Sequence, residues 1–176
     1  MSTVTLLTGG GRSGKSTHAL RLAEPYARKA FIATAEACDD EMHDRIARHR
    51  DERDPRFVTI EEPVDLAGAI RGLNGRADVA IVDCLTVWLA NVMHYRGYDQ
   101  SGYAEIDDFI AALASPPCDL IVVTNEVGMG IIPMDPMTRR YRDFAGTVNQ
   151  RVAASADTVI LMVSGIPVTI KPEFGG

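Results

Sequence analysis

Gly9 and Gly14 enclose four residues, and Lys15 and Ser16 follow at once, so the stretch TGGGRSGKS meets the pattern G-x-x-x-x-G-K-[ST] in full. Each residue type in it suits the holding of an anion. Glycines at positions 9, 10, 11 and 14 let the backbone take positive φ and turn its N–H groups toward one point, which a Cβ would obstruct. Arg12 and Ser13 complete the turn, Lys15 supplies a point charge for β- and γ-phosphates, and the Ser16 hydroxyl suits a Mg²⁺ ligand. The chemistry predicted is therefore the binding of a nucleotide's phosphates, with Mg²⁺ as the companion ion.

A loop of this kind has to leave a strand and enter a helix. The apolar run 4–7 precedes it. Residues 15–27 read as a helix aiming its positive end at the anion, with Pro25 marking a kink or an early stop. Further strands are predicted over 30–34, 56–60, 79–82 and 119–124, with 158–163 and 168–171 as a closing hairpin or two edge strands around SGIP. Helices are predicted over 39–53, 64–73, the run after Asp83 through Met93, 103–114 and 136–156, and 94–102 reads as the clearest internal loop. Strand and helix alternate at least five times. That pattern predicts an α/β fold, a mostly parallel sheet with helices on both faces, formed by one domain over residues 1–176 with a loose tail at 173–176.

In such a sheet ligands bind beyond the carboxyl ends of the strands. Thr34, Ala35, Glu36, Glu61, Asp83, Asn125 and Glu126 all fall there, and Gly128 and Gly130 add backbone freedom. Two readings stand for several of these residues. Asp83 closes an apolar strand, where it either holds Mg²⁺ through water or caps the next helix. Asn125 and Glu126 either reach the crevice or form a structural turn. Glu61 and Glu62 precede a helix, where paired acids ordinarily cap or face solvent. Over 39–53, Met42, Ile46 and His49 share one helical face, so His49 is either a half-buried helix histidine or a nucleophile or acid/base. Its neighbours Arg45, Arg48, Arg50 and Arg53 read as a solvated charged face.

Composition excludes several functions. With 18 basic and 24 acidic residues the net charge is -6, and no basic run offers a nucleic-acid footprint. Three cysteines, Cys38, Cys84 and Cys118, lack C-x-x-C spacing and sit in or beside apolar segments, as expected of a reducing cytoplasm. No charged leader precedes the first strand, and no apolar run approaches the ~18 residues of a membrane span, so stable membrane insertion is not expected.

Nearly the whole chain resembles the bifunctional adenosylcobinamide kinase / adenosylcobinamide-phosphate guanylyltransferase family of bacterial cobalamin synthesis. The resemblance rests on TGGGRSGKS, on DDEM followed by RIARHR, on VDCLTVWLAN, and above all on VTNEVGMGIIP, RDFAGTVNQRVAASAD and VSGIPV. It implies a P-loop NTPase fold with a RecA-like sheet, a homotrimer, and a corrinoid site between subunits. It further implies two steps. ATP or GTP phosphorylates the aminopropanol hydroxyl of adenosylcobinamide; GTP then guanylylates a histidine, from which GMP passes to adenosylcobinamide phosphate to give adenosylcobinamide-GDP. The family's RI-x-x-H histidine falls on His49, and its nucleotide contacts fall on the P-loop, on Thr34, Ala35 and Glu36, on Arg50, Asp51, Glu52 and Arg53, and on Glu61 and Asp83. Some members carry two adjacent histidines where this chain has Arg48 and His49, which leaves one candidate nucleophile. Phe57 stands where some relatives have Trp. Without the resemblance, a kinase of another small alcohol and a non-catalytic RecA-like nucleotide-binding subunit fit the same residues.

Overall fold

The computed structural model describes residues 2–36 and 55–172. The helix expected over 39–53, with His49, Arg50, Asp51, Glu52 and Arg53, and the tail 173–176 lie outside the described residues.

Along the central strands, successive side chains enter opposite cores, as the period of two requires. In the strand Val79–Asp83, Ala80 and Val82 join one apolar cluster while Val79 and Ile81 join the other. Asp119–Val123 divides the same way, Leu120 and Val122 against Ile121 and Val123. Strands buried on both faces need helices on both faces. The helix Lys15–Ala23 (α1) covers one, through Ala19 and Ala23. The helices Leu66–Arg71 (α2), Leu85–Arg96 (α3), Ala104–Leu113 (α4) and Pro136–Ser155 (α5) all send buried side chains into the other.

The strands Val4–Gly9 (β1), Lys29–Ala33 (β2), Phe57–Glu61 (β3), Val79–Asp83 (β4), Asp119–Val123 (β5), Thr158–Val163 (β6) and Ile166–Lys171 (β7) form one sheet in the order β3-β2-β4-β5-β1-β6-β7. All neighbours are parallel except β6 and β7. The expected closing hairpin is thus present, with Ser164 and Gly165 both at positive φ in its turn, so that Ile166 and Pro167 belong to the strand rather than to the loop. At the amino edge the strand starts are pinned by carboxylates: Asp119 accepts from the Thr3 N–H at 2.7 Å, and Asp157 from the Val4 N–H at 2.7 Å.

Several boundaries differ from the sequence reading for local reasons. α1 stops at Ala23 rather than 27, because Pro25 has no N–H to continue the ladder. α2 begins at Leu66, not 64; Asp65 is its N-cap, accepting from the Gly68 N–H at 2.8 Å, while Glu62 turns back to accept from the N–H groups of Val64 and Asp65. α3 runs through His94 to Arg96, into the stretch read as a loop. Leu85, Trp88, Leu89, Val92 and Met93 anchor the helix in the core, Arg96 pairs with Glu105 at 2.5 Å, and Gly97 at φ 93 ends it. The NEVGMGI stretch contains a single 3₁₀ turn, Val127–Met129. α5 begins at an Asp135 N-cap with Pro136 in its first turn, and the Lys171 ammonium donates to the carbonyls of Ala153, Ala154 and Ala156 at its far end.

The fully buried rings of Trp88 on α3 and Phe109 on α4 lie 5.2 Å apart at the centre of the helix-rich core. Phe109→Ala is expected to cost about 3–5 kcal/mol of stability. Urea denaturation followed by far-ultraviolet circular dichroism measures it.

Candidate active site

β1 delivers the chain to Gly9, and the loop from there to Ser16 is built around the Lys15 ammonium. Lys15 Nζ donates to the Gly9 carbonyl at 3.0 Å, to the Gly10 carbonyl at 2.6 Å and to Ser13 Oγ at 3.5 Å. Although charged, the residue is only 7% exposed. Burial pulls its pKa below the ordinary lysine value, with the nearby Cys84 and Asp83 pulling it back up. Two of the four glycines carry the conformational demand. Gly14 is the left-handed N-cap of α1, and at Gly9, with φ 144, a Cβ would sit 2.4 Å from the Met162 carbonyl. Gly10 and Gly11 take no positive φ, which corrects the expectation for them. A Cβ there would meet nothing within 4 Å, so these positions leave open the space an anion needs. Arg12 is itself in the left-handed region, at φ 56.

The loop is braced from β6 and β7, a role the sequence reading did not assign to them. The Gly165 N–H in their turn donates to the Ser13 carbonyl at 3.0 Å. The SGIP turn is therefore part of the phosphate loop's support.

Asp83, at the end of β4, accepts from Ser16 Oγ at 2.9 Å. The N-cap position of α3 is taken by the next residue, Cys84. A serine hydroxyl beside a carboxylate is a hard oxygen pair of the kind Mg²⁺ takes when phosphates and water complete its shell. Among the described residues no cluster of three or more metal-binding side chains occurs. Ser16 and Asp83 thus fit an ion shared with a nucleotide rather than a protein cage.

The Thr34 hydroxyl is fully buried and joins the backbone of Cys84 from both sides, donating to its carbonyl and accepting from its N–H, each at 2.9 Å. Asn91 on α3 donates to the Thr34 carbonyl at 2.7 Å and the Pro63 carbonyl at 3.2 Å, and Tyr95 donates to the Glu36 carboxylate at 2.9–3.0 Å. α3 thereby positions the stretch containing Thr34, Ala35 and Glu36. Glu61 ends the edge strand β3 in register with Ala33 and, across β2, with Asp83. Two strand spacings separate it from Asp83, roughly 10 Å. β1 lies two strands beyond Asp83 in the other direction, so Glu61 stands far from the loop's phosphate end.

A polar network under the loop went largely unread in the sequence. Asn149 on α5 accepts from the Thr124 hydroxyl at 2.7 Å and donates to Glu126 Oε1 at 2.8 Å and the Asn125 carbonyl at 3.2 Å. Asn125 donates to Thr86 Oγ1 at 2.9 Å, and the Tyr141 hydroxyl donates to the Thr86 carbonyl at 2.8 Å. Burial first, with Cys84 beside it, pushes the Tyr141 pKa up to about 12. An asparagine on the face of Ala145, Val148 and Val152 was the available signal, since a polar group at a core position needs partners. At the opposite edge of the sheet a cleft of ≈ 550 Å³ is lined by Arg28, Asn74, Asp78 and Asp119. Arg28 and Asp78 there pair with each other at 2.5 Å.

This sheet and loop define a P-loop nucleotide-binding protein of the RecA-like α/β class. Similar solved structures include an ATPase of a type III secretion system (9% identity, TM-score 0.55, covering 95% of this chain and 56% of that one) and the flagellar accessory protein FlaH of Methanocaldococcus jannaschii (14%, 0.53, 97% and 79%). The chain belongs to the family described as cobinamide kinase / cobinamide phosphate guanyltransferase, whose pattern matches residues 5–170. Its relatives include the bifunctional adenosylcobalamin biosynthesis proteins CobU of Escherichia coli K12 (40% identical, covering 94% of this chain and 98% of that one) and CobP of Pseudomonas aeruginosa (40%, 96% and 97%).

Because the folded state lowers the Lys15 pKa, folding disfavours its charged form, and that cost disappears as pH rises from the lowered value to the ordinary 10.5. Lys15→Met removes it. The stability of Lys15→Met relative to the parent is therefore expected to be greatest near pH 7 and to decline toward pH 10.5, as urea denaturation at a series of pH values measures.

Proposed function

We propose that this chain phosphorylates the aminopropanol hydroxyl of adenosylcobinamide with ATP or GTP. It then moves GMP from GTP, through a guanylyl-histidine at His49, onto adenosylcobinamide phosphate to give adenosylcobinamide-GDP. The observation that carries the reading is the complete phosphate loop, with Lys15 seated on the Gly9 and Gly10 carbonyls and Ser16 joined to Asp83, in a chain matched by the cobinamide kinase family over residues 5–170.

Both transfers need negative charge neutralised at a phosphoryl group in flight. Lys15 and the loop's backbone N–H groups hold the β- and γ-phosphates for the first. Ser16 and Asp83 would hold Mg²⁺, which when bound offsets the charge of the phosphates and of the departing diphosphate or pyrophosphate. For the second transfer, the neutral imidazole of His49 attacks the α-phosphorus, and the phosphoramidate formed keeps enough leaving ability to pass GMP on, so one hard step becomes two. Thr34, Ala35, Glu36, Arg50, Asp51, Glu52, Arg53 and Glu61 are the proposed nucleotide contacts; the distance of Glu61 from the loop suits the sugar or base rather than the phosphates. Both activities sit in one domain, in a cytoplasmic homotrimer with the corrinoid between subunits. The exposed apolar side chains of Ile166, Val168 and Ile170 on the edge strand β7 support self-association. No helix among the described residues is long and apolar enough to cross a membrane.

Incubation with GTP and Mg²⁺ is expected to add one GMP to the intact mass, and His49→Ala to abolish the addition. A label that persists in His49→Ala moves the nucleophile elsewhere, with His43 next to test. Phosphorylation of another alcohol with no GMP adduct points to a simple kinase. Lys15→Ala is expected to slow both transfers, each by on the order of 10²-fold. Loss of the kinase step with guanylylation intact would contradict a shared nucleotide site.

A further inference from the structure

We propose that Glu126 is the proton acceptor of the kinase step, the carboxylate that takes the acceptor alcohol's proton as its oxygen attacks the γ-phosphorus. The proposal rests on the functional reading above. It starts from a peculiarity of the polar network: a carboxylate stands beside a loop made to hold phosphates. The Glu126 N–H donates to the Gly9 carbonyl at 3.1 Å, the same oxygen that receives Lys15 Nζ at 3.0 Å. Its side chain is held by Thr8, the residue before Gly9, whose hydroxyl donates to Oε1 at 3.3 Å. A negative group here repels the very ligand the loop is built for, so binding of phosphate does not explain it.

Structural bracing does not explain the charge either. The two side-chain donors that fix Glu126, Thr8 Oγ1 and Asn149 Nδ2, both converge on Oε1. A glutamine carbonyl would satisfy them equally. Among the described residues no hydrogen bond to Oε2 is formed, so the second oxygen and the charge are left for something outside this network. An alcohol about to attack the γ-phosphorus is a donor that fits: it brings a proton that must leave, and it meets an acceptor held at a fixed place. Asn149 is itself fixed by the Thr124 hydroxyl and bonded to the Asn125 carbonyl, so Glu126 cannot swing away without breaking a buried network.

In the step, the alcohol's O–H bond breaks and its proton passes to Glu126 Oε2. The alcohol oxygen forms a bond to the γ-phosphorus. The bond from that phosphorus to the β,γ-bridging oxygen breaks, and its electron pair leaves on the nucleoside diphosphate. The proton later returns to solvent. Asp83 is the carboxylate assigned above, with Ser16, to the ion. The guanylylation of the protein involves no acceptor hydroxyl, so Glu126 has no proton to take in it.

That asymmetry makes the test. Glu126→Gln keeps the hydrogen bonds to Oε1 and removes the charge. Its kcat for ATP-dependent phosphorylation of cobinamide is expected to fall by about 10²–10⁴-fold, with the KM for ATP and the rate of GMP labelling from GTP little changed. Glu126→Asp, which keeps a carboxylate but withdraws it, is expected to recover part of the loss. Undiminished phosphorylation in Glu126→Gln overturns the proposal. So does a parallel fall of phosphorylation, GMP labelling and ATP affinity, which would mark Glu126 as a support of the loop or its ion. Parent protein that phosphorylates no cobinamide brings down the functional reading itself, a result distinct from both.

Discussion

The site depends on the carbonyl oxygen of Gly9. It receives the Lys15 ammonium from within the loop and the Glu126 N–H from beyond the end of the neighbouring strand, so one atom ties the cation to the backbone of the Glu126 stretch. A buried ammonium without partners would be costly, and the Gly9 and Gly10 carbonyls with Ser13 Oγ supply them. The close approach that brings Gly9 against the Met162 carbonyl admits no Cβ. Glycine at that position is a packing requirement as well as a conformational one.

The order of the sheet explains how one loop gathers so many supports. β1 lies between β5 and β6, so Gly9 is reached from both sides: by the Glu126 stretch after β5, and by the β6–β7 turn through Gly165 and Ser13. β4 lies one strand further, close enough for Asp83 to meet Ser16 at the start of α1. β2 and β3 carry Thr34 and Glu61 progressively away from the phosphates along the same carboxyl edge. α3 then locks that edge from behind, because its buried body places Asn91 and Tyr95 against the Thr34 and Glu36 backbone and side chain.

Much of this was legible in the chain. The phosphate loop is a local motif, and strand, loop and helix stood together in the expected order. The alternation of apolar runs predicted the parallel sheet and its two helical layers. Boundaries moved where local competition decided them: Asp65 rather than the Glu61–Glu62 pair capped α2, and α3 ran on to Arg96, which pairs with Glu105, before Gly97 ended it. Asp83 was ambiguous by position, and the structure adds its bond to Ser16 at the head of α1. Tyr95 and Asn91 were silent, since they act on residues 28 to 59 positions away, and no spacing rule reaches that far.

By itself the sequence determined the phosphate loop, the two-faced sheet and the family motifs, because local φ demands and residue periodicity are written in neighbouring positions. The tertiary structure alone decided which two glycines the loop's conformation requires, that the SGIP turn braces it, and that the Glu126 N–H shares the Gly9 carbonyl with Lys15. These follow from strand order and from hydrogen bonds between distant segments, and such bonds form only when the sheet has set those segments side by side.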